Sequence, residues 1–376
     1  MTSPVLFEEK HTANGLVVGV ATLNAPKALN ALSLEMLELL SEKLSDWEQD
    51  DNVVCVLLQG AGEKAFCAGG DIRKLYQSIV ENPQGPNAYA ENFFSVEYRL
   101  DYAIHRYSKP FICWGHGLVI GGGLGLMAGA SYRVVTESSH IAMPEIGIGL
   151  YPDVGASWFL TRMPGRTGLF VGLSACKLNA ADALFTGLAD RFISSDKKHT
   201  LDQALLAADW QSASKNQHGN GNHQIVSALL KELEFQSDKT NQESKLRHNF
   251  DLINKLCDFD DLAAISQAIN SHESADPWFM KAQAKLKGGC PTTAHLIQEQ
   301  IKRAKYLSLA EVFQMEFVMA MQCCFRPDFP EGVRALLIDK DHQPKWQHSS
   351  IASVPSSYID VHFEGQGIEH PLTDLV

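Results

Sequence analysis

No CxxC pair occurs among the eight cysteines, so the chain lacks the ligand spacing of a zinc ribbon or a dithiol redox centre. Several of them, such as Cys55 and Cys113, lie inside apolar runs, which reads as buried free thiols. No stretch offers the roughly 20 mainly apolar residues that a membrane-spanning helix needs. The most apolar region, Phe111 to Ala130, is broken by seven glycines and by His116. Residues Met1–Lys10 show neither a basic segment followed by an apolar core nor an Arg-rich targeting pattern, which points to a cytoplasmic protein. Basic side chains are in deficit: 32 Lys and Arg against 44 Asp and Glu give a formal net charge of −12. That balance disfavours non-specific binding to nucleic acid or to anionic membranes, yet a local basic patch could still hold an anionic small ligand.

What is present is an ordinary globular composition. The chain has 376 residues, of which 45% are hydrophobic, enough to bury a core without disulfides or metals. Leu16–Leu23, Val53–Leu58, Phe111–Trp114 and Tyr132–Thr136 read as buried strands. Ser33 is placed to cap a helix through Trp47, with Met36, Leu37, Leu40, Leu44 and Trp47 on one face. Strands alternate with helices to about residue 195, which predicts an α/β core over 1–195. Residues 197–222 are polar and read as a surface loop or linker, and helical periodicity dominates from Gln224 to Phe325. The region 196–376 is therefore expected to be mainly helical. No internal repeat is visible in the sequence.

Three segments carry chemistry. Ala65-Phe-Cys-Ala-Gly-Gly-Asp71 places two glycines after an apolar run, where a tight bend exposes backbone N–H groups. Its plain alternative is a turn in which Asp71 caps a helix. Gly121-Gly-Gly-Leu-Gly125 looks like a helix start whose aligned N–H donors suit an anion or a developing oxyanion. Its plain alternative is a close helix–strand contact. Gly123–Ala128 also fits G-x-G-x-x-A, with Glu145 following Gly125 by 20 residues, the spacing of a nicotinamide-dinucleotide site. That fingerprint usually opens a βαβ unit, whereas here it sits deep in the chain behind another Gly-rich turn, which favours the oxyanion role. The third segment runs from Met143-Pro-Glu145 to Asp153. It sets two carboxylates eight residues apart in apolar, Gly-rich surroundings suited to acid–base or nucleophilic work.

Taken in order, AFCAGGDI, GGGLGL and MPE resemble the crotonase (enoyl-CoA hydratase/isomerase) superfamily. The stretches RVVTESSHIAMPEIGIGLYPDVGAS and LAEVFQMEFVMAMQ…DFPEGVRALLIDKDHQPKW are similar to its 3-hydroxyisobutyryl-CoA hydrolase branch, and the likeness covers residues 5–346. The resemblance implies a spiral of repeated ββα units with a helical C-terminal region. It also implies a CoA thioester whose carbonyl oxygen lies between two backbone N–H groups, which fall on Ala68 and Gly122. Catalysis then rests on Glu145 and Asp153, with Glu97 as a further substrate contact. Glu97 by itself would read as a solvated helix-face charge. Hydratases of the superfamily usually carry a glutamate two residues after the glycine triplet, where this chain has Gly125. Glycine transfers no proton, so the two-glutamate hydration machinery is incomplete. Tyr151 stands where the hydrolases commonly have Phe and is expected to add a hydroxyl to the acyl pocket.

The resulting expectation is hydrolysis of 3-hydroxyisobutyryl-CoA, a step of valine breakdown. Glu145 either attacks the thioester or activates water, and Asp153 handles the hydrolytic water and the acyl hydroxyl. No metal or redox cofactor is expected, CoA being part of the substrate. The expected partner is thus a small acyl-CoA, with no nucleic acid and no membrane, in a homo-oligomer such as a trimer. Three alternatives remain: an enoyl-CoA hydratase or isomerase using Glu145 with another partner, a non-catalytic acyl-CoA-binding protein, and a dehydrogenase.

Overall fold

In the computed structural model the run VVCVLL is buried at all six positions, as a strand covered on both faces must be. The structure describes residues 3–83, 87–212, 220–238, 242–365 and 370–376. The chain divides into two units, each drawn from three segments. The first takes Met1–Gly70, Leu100–Ile141 and Leu178–Ser244; the second takes Asp71–Arg99, Ala142–Lys177 and Lys245–Val376. The expected boundary at 195/196 falls within the first unit.

The strands, in chain order, are β1 Val5–His11, β2 Val17–Leu23, β3 Val53–Gly60, β4 Ala65–Cys67, β5 Phe111–Gly115, β6 Leu118–Ile120, β7 Tyr132–Val135, β8 His140–Ala142 and β9 Arg191–Phe192. A six-stranded sheet has the order β1-β2-β3-β5-β7-β9, and a three-stranded sheet has the order β4-β6-β8. Only β1 runs antiparallel in the large sheet; the pairs β2–β3, β3–β5, β5–β7 and β7–β9 are parallel. Each of β3, β5 and β7 is thus followed by a short strand in the other sheet. This is the repeated unit that the resemblance implies. It is a repeat of topology, which explains why no repeat shows in the sequence.

One face of the large sheet packs Val18, Val20, Leu57, Ile112 and Val134 against Leu201, Leu205 and Leu230. Leu201 and Leu205 lie on the helix Lys198–Ala207, inside the segment expected to be a loop. Leu201 and Leu205 recur at i and i+4, enough to bury one stripe of the helix. Residues 213–219 of the same expected loop lie outside the described residues. The helix Leu34–Gln49 buries the expected face, and the Ser33 side chain accepts from the Met36 N–H. A Cβ at Gly19 would lie 2.8 Å from the Trp47 ring, so this strand position admits no side chain.

In the second unit the helix Leu309–Cys324 is buried along most of its length, with Phe313 and Phe317 inaccessible to solvent. Ser308 and Glu311 close its start in a capping box. The N–H of Cys290 donates to the Ile146 carbonyl at 2.8 Å, fixing the turn Glu145–Gly147 to the start of the helix Pro291–Ala304. All eight cysteines are buried and none forms a disulfide. Among the described residues no helix is long and apolar enough to cross a membrane.

Asn30 holds the turn ahead of the first helix. It is buried, has φ +54°, donates to the Ala61 and Ala65 carbonyls, and accepts from the Ala25 N–H. Asn30→Ala removes three hydrogen bonds, orphans their partners, and keeps a left-handed backbone that alanine tolerates poorly. The expected loss is about 3 kcal/mol in denaturant-induced unfolding.

Candidate active site

In the first unit, β4 runs into the turn Ala68-Gly69-Gly70, which lies against the start of the helix Gly122–Ala128. A Cβ on Gly69 would sit 3.2 Å from the Ile120 carbonyl oxygen and 3.9 Å from the Gly122 nitrogen. A Cβ on Gly123 would sit 2.5 Å from the Cys67 carbonyl oxygen. The glycines are therefore required by packing, as the plain alternative holds. They also bring backbone donors close to one another. Gly122 is the first residue of its helix, so its N–H has no acceptor within the helix.

Ala68 does not supply the second donor. Its N–H donates to the Leu29 carbonyl at 3.0 Å, and the Leu32 N–H returns to the Gly69 carbonyl at 2.8 Å. These bonds tie down the start of the turn. Among the described residues the amides of Gly69, Gly70 and Gly122 have no backbone acceptor. Asp71 caps the helix Ile72–Glu81 through the Lys74 N–H, matching its plain reading.

The dinucleotide fingerprint is also resolved. The strand before the Gly-rich helix is β6, in the small sheet, and the strand after it is β7, in the large sheet. A dinucleotide site needs both strands in one parallel sheet. Glu145 belongs to the second unit, where it is part of a carboxylate cluster.

That cluster is the main chemical feature of the second unit. Glu97 is 3% exposed, Glu145 5% and Asp153 5%. Glu97 comes from the helix Ala88–His105, Glu145 opens a 3-10 turn, and Asp153 lies in the loop that follows. Burial and then the charge of Asp153 hold the Glu145 carboxyl well above its ordinary range. Burial, then Asp153, then Glu145 do the same to Glu97. Burial raises Asp153 to about 6, held back by a hydrogen bond from Tyr98. Oε2 of Glu145 is buried with no hydrogen-bond partner. Such an atom awaits a proton, a water or a reacting carbon.

Sequence reasoning missed three neighbours. Tyr98 donates to Asp153 Oδ2 at 2.8 Å. The Glu316 carboxylate accepts from the N–H groups of Gly155 and Ser157 at 2.7 and 2.8 Å. Gln300 donates to the Pro152 carbonyl at 2.8 Å. The available signal was Glu316 itself, a lone acid in the apolar stretch LAEVFQMEFVMAMQ. Tyr151, expected to add a hydroxyl to the acyl pocket, instead buries it against the Glu316 carbonyl, to which it donates. Among the described residues no group of three or more His, Cys, Asp or Glu is arranged to hold a metal ion.

A family model described as enoyl-CoA hydratase/isomerase matches residues 18–363. A curated zebrafish (Danio rerio) protein named 3-hydroxyisobutyryl-CoA hydrolase, mitochondrial, is 38% identical over 95% of this chain and 88% of its own length. The Homo sapiens protein of that name is 35% identical over 96% and 89%. Among solved structures, a carnitinyl-CoA dehydratase from Mycobacterium thermoresistibile superposes with TM-score 0.84, at 31% identity over 99% of this chain and 100% of that one. An enoyl-CoA hydratase from Rhodobacter sphaeroides gives 0.81, at 31% identity over 96% and 97%.

The raised Asp153 value has a consequence for stability. The fold favours the neutral acid, so its contribution is full below the ordinary value of 3.8 and is lost as pH rises through about 6. Asp153→Asn is isosteric and uncharged at every pH. It should match the wild type near pH 4 and exceed it at pH 7 by up to about 3 kcal/mol. Denaturant unfolding at both pH values checks this; equal destabilisation at the two would make the carboxylate a structural group.

Proposed function

The chain belongs to the enoyl-CoA hydratase/isomerase family, and on that footing we propose that it hydrolyses an acyl-CoA thioester, 3-hydroxyisobutyryl-CoA, to the free hydroxy acid and CoA. One observation carries this reading: position 125 is a buried glycine, while the carboxylates gather as Glu97, Glu145 and Asp153 in the second unit. Adding water across a double bond needs a base for water and an acid for the α-carbon. With glycine at 125, one of the two usual groups is missing. The names of the curated relatives favour hydrolysis; those of the two solved structures favour the hydratase reading. Gly125 supports hydrolysis.

In the proposed reaction the amides of Gly122 and Gly70 bind the thioester oxygen as it gains negative charge, Gly70 replacing Ala68 in that role. Such donors are worth about 10²–10³ in turnover each. Glu145 supplies the attacking power. Either its oxygen bonds to the carbonyl carbon and expels the CoA thiolate, leaving an anhydride that water opens, or it removes a proton from the water that attacks. On the anhydride route Asp153 takes up the proton of the water that opens the anhydride; on the general-base route, where Glu145 takes that proton, Asp153 positions the water. On both routes Glu97 contacts the substrate. The reaction uses no cofactor, since CoA arrives as part of the substrate.

Glu145 must be ionised on either route, and burial, then the charge of Asp153, holds its proton on. Asp153 must be ionised where it accepts the water's proton, so the rate should climb as pH is raised through its value of about 6 and through the Glu145 value, which lies well above the ordinary carboxylate range. Glu145→Gln should lower CoA release by about 10²–10⁴-fold while binding survives. Thiol-reagent detection of CoA, set against loss of enoyl absorbance with crotonyl-CoA, reads both reactions. Robust hydration with no CoA release would establish the hydratase reading instead.

A further inference from the structure

The loop carrying Asp153 is held in a conformation it would not adopt alone. Val154 has φ +56° and Gly155 φ +84°. A β-branched residue in the left-handed region is strained and persists only where its surroundings over-determine it. Here Gln300 holds the Pro152 carbonyl, and the Glu316 carboxylate receives the amides of Gly155 and Ser157. Those contacts bracket the strained pair on both sides. Glu316 is fully buried, and both of its oxygens are engaged by this loop.

Counting protons on the two phenols gives the rest. Each has one to donate. Tyr151 gives its proton to the Glu316 carbonyl, which can only accept. Tyr151 therefore has none for its neighbours. The Tyr98 oxygen lies 3.3 Å from the Tyr151 oxygen and 2.8 Å from Asp153 Oδ2, so its proton goes to the carboxylate. Tyr98 is the phenol that addresses Asp153. A bond of this kind favours the ionised acid and immobilises one of its two oxygens.

We propose that Tyr98 and Glu316 are positioning residues for Asp153: Glu316 staples the strained loop that carries it, and Tyr98 fixes one carboxylate oxygen, leaving the other to orient the hydrolytic water or accept its proton. The proposal rests on the hydrolase reading given above. The groups around Asp153 are Glu97 and Tyr98 of one helix, Glu145 of the 3-10 turn, Tyr151 of its own loop and Glu316 of the helix Leu309–Cys324. All are acids or phenols, so losing the Tyr98 bond removes a group that holds the Asp153 value down.

Tyr98→Phe is compared with the wild type and with Tyr151→Phe, which leaves the Tyr98–Asp153 bond in place. Steady-state CoA release from 3-hydroxyisobutyryl-CoA is measured across pH, and the Asp153 carboxyl is titrated by carbon-13 NMR in the ligand-free protein. Tyr98→Phe should lower kcat about 10- to 100-fold with KM little changed. It should also move both the acid limb and the Asp153 midpoint to higher pH, whereas Tyr151→Phe should leave that midpoint in place. Glu316→Gln weakens one of two loop contacts and should also lower kcat more than it changes KM; this variant carries the test if Tyr98→Phe does not fold. An unmoved Asp153 midpoint in Tyr98→Phe, or the same shift in Tyr151→Phe, overturns the proposal. Absence of CoA release by the wild type would remove the hydrolase reading, and the NMR midpoints would still decide whether Tyr98 governs Asp153.

Discussion

Glu97, Glu145 and Asp153 are buried in one unit, and the charge of Asp153 acts on the other two. Removing an ion from water is costly, and placing a like charge beside it costs more. Burial raises all three acids above their ordinary values, and hydrogen bonds are supplied at selected oxygens. Asp153 receives one from Tyr98, while Glu145 has a buried oxygen with no partner. The acids are therefore unequal in their readiness to ionise. A set of unequal carboxyls held near neutrality is what acid–base chemistry requires.

The first unit meets a different constraint. Its short strands bring two Gly-rich backbones into contact, so close that a Cβ at Gly123 would lie 2.5 Å from the Cys67 oxygen. That contact is a matter of packing, yet it leaves amides at Gly70 and Gly122 without backbone acceptors among the described residues. Packing and function therefore ask for the same residues here, and neither reading of the glycine triplet excludes the other. Glycine at 125 belongs to the same helix and removes a carboxylate that hydration would use.

Much of this is legible in the sequence. Long buried strands announce themselves by β-branched runs, as in VVCVLL, and the helix after Ser33 by its cap and stripe. The strands β4, β6 and β8 have three residues each, too few to show a period, and their pairing alone makes the repeated unit visible. The helix Lys198–Ala207 reads as loop because it opens the polar stretch 197–222, although half of its ten residues are apolar. At the turn after β4, which amide is available depends on where the Leu29 carbonyl falls. Side-chain patterns carry no information about that bond. Glu97 looks like a solvated charge in sequence because its partners, Asp153 and Glu145, lie about 50 residues away. Glu316 is more distant still.

The account stands or falls on whether the carboxyls share their protons. The direct measurement is a carbon-13 titration of Glu145 in the wild type and in Asp153→Asn. Coupling predicts a wild-type Glu145 midpoint well above its ordinary value of 4.5 and a downward shift once the Asp153 charge is gone. A Glu145 carboxyl that titrates near 4.5 in both proteins would contradict it.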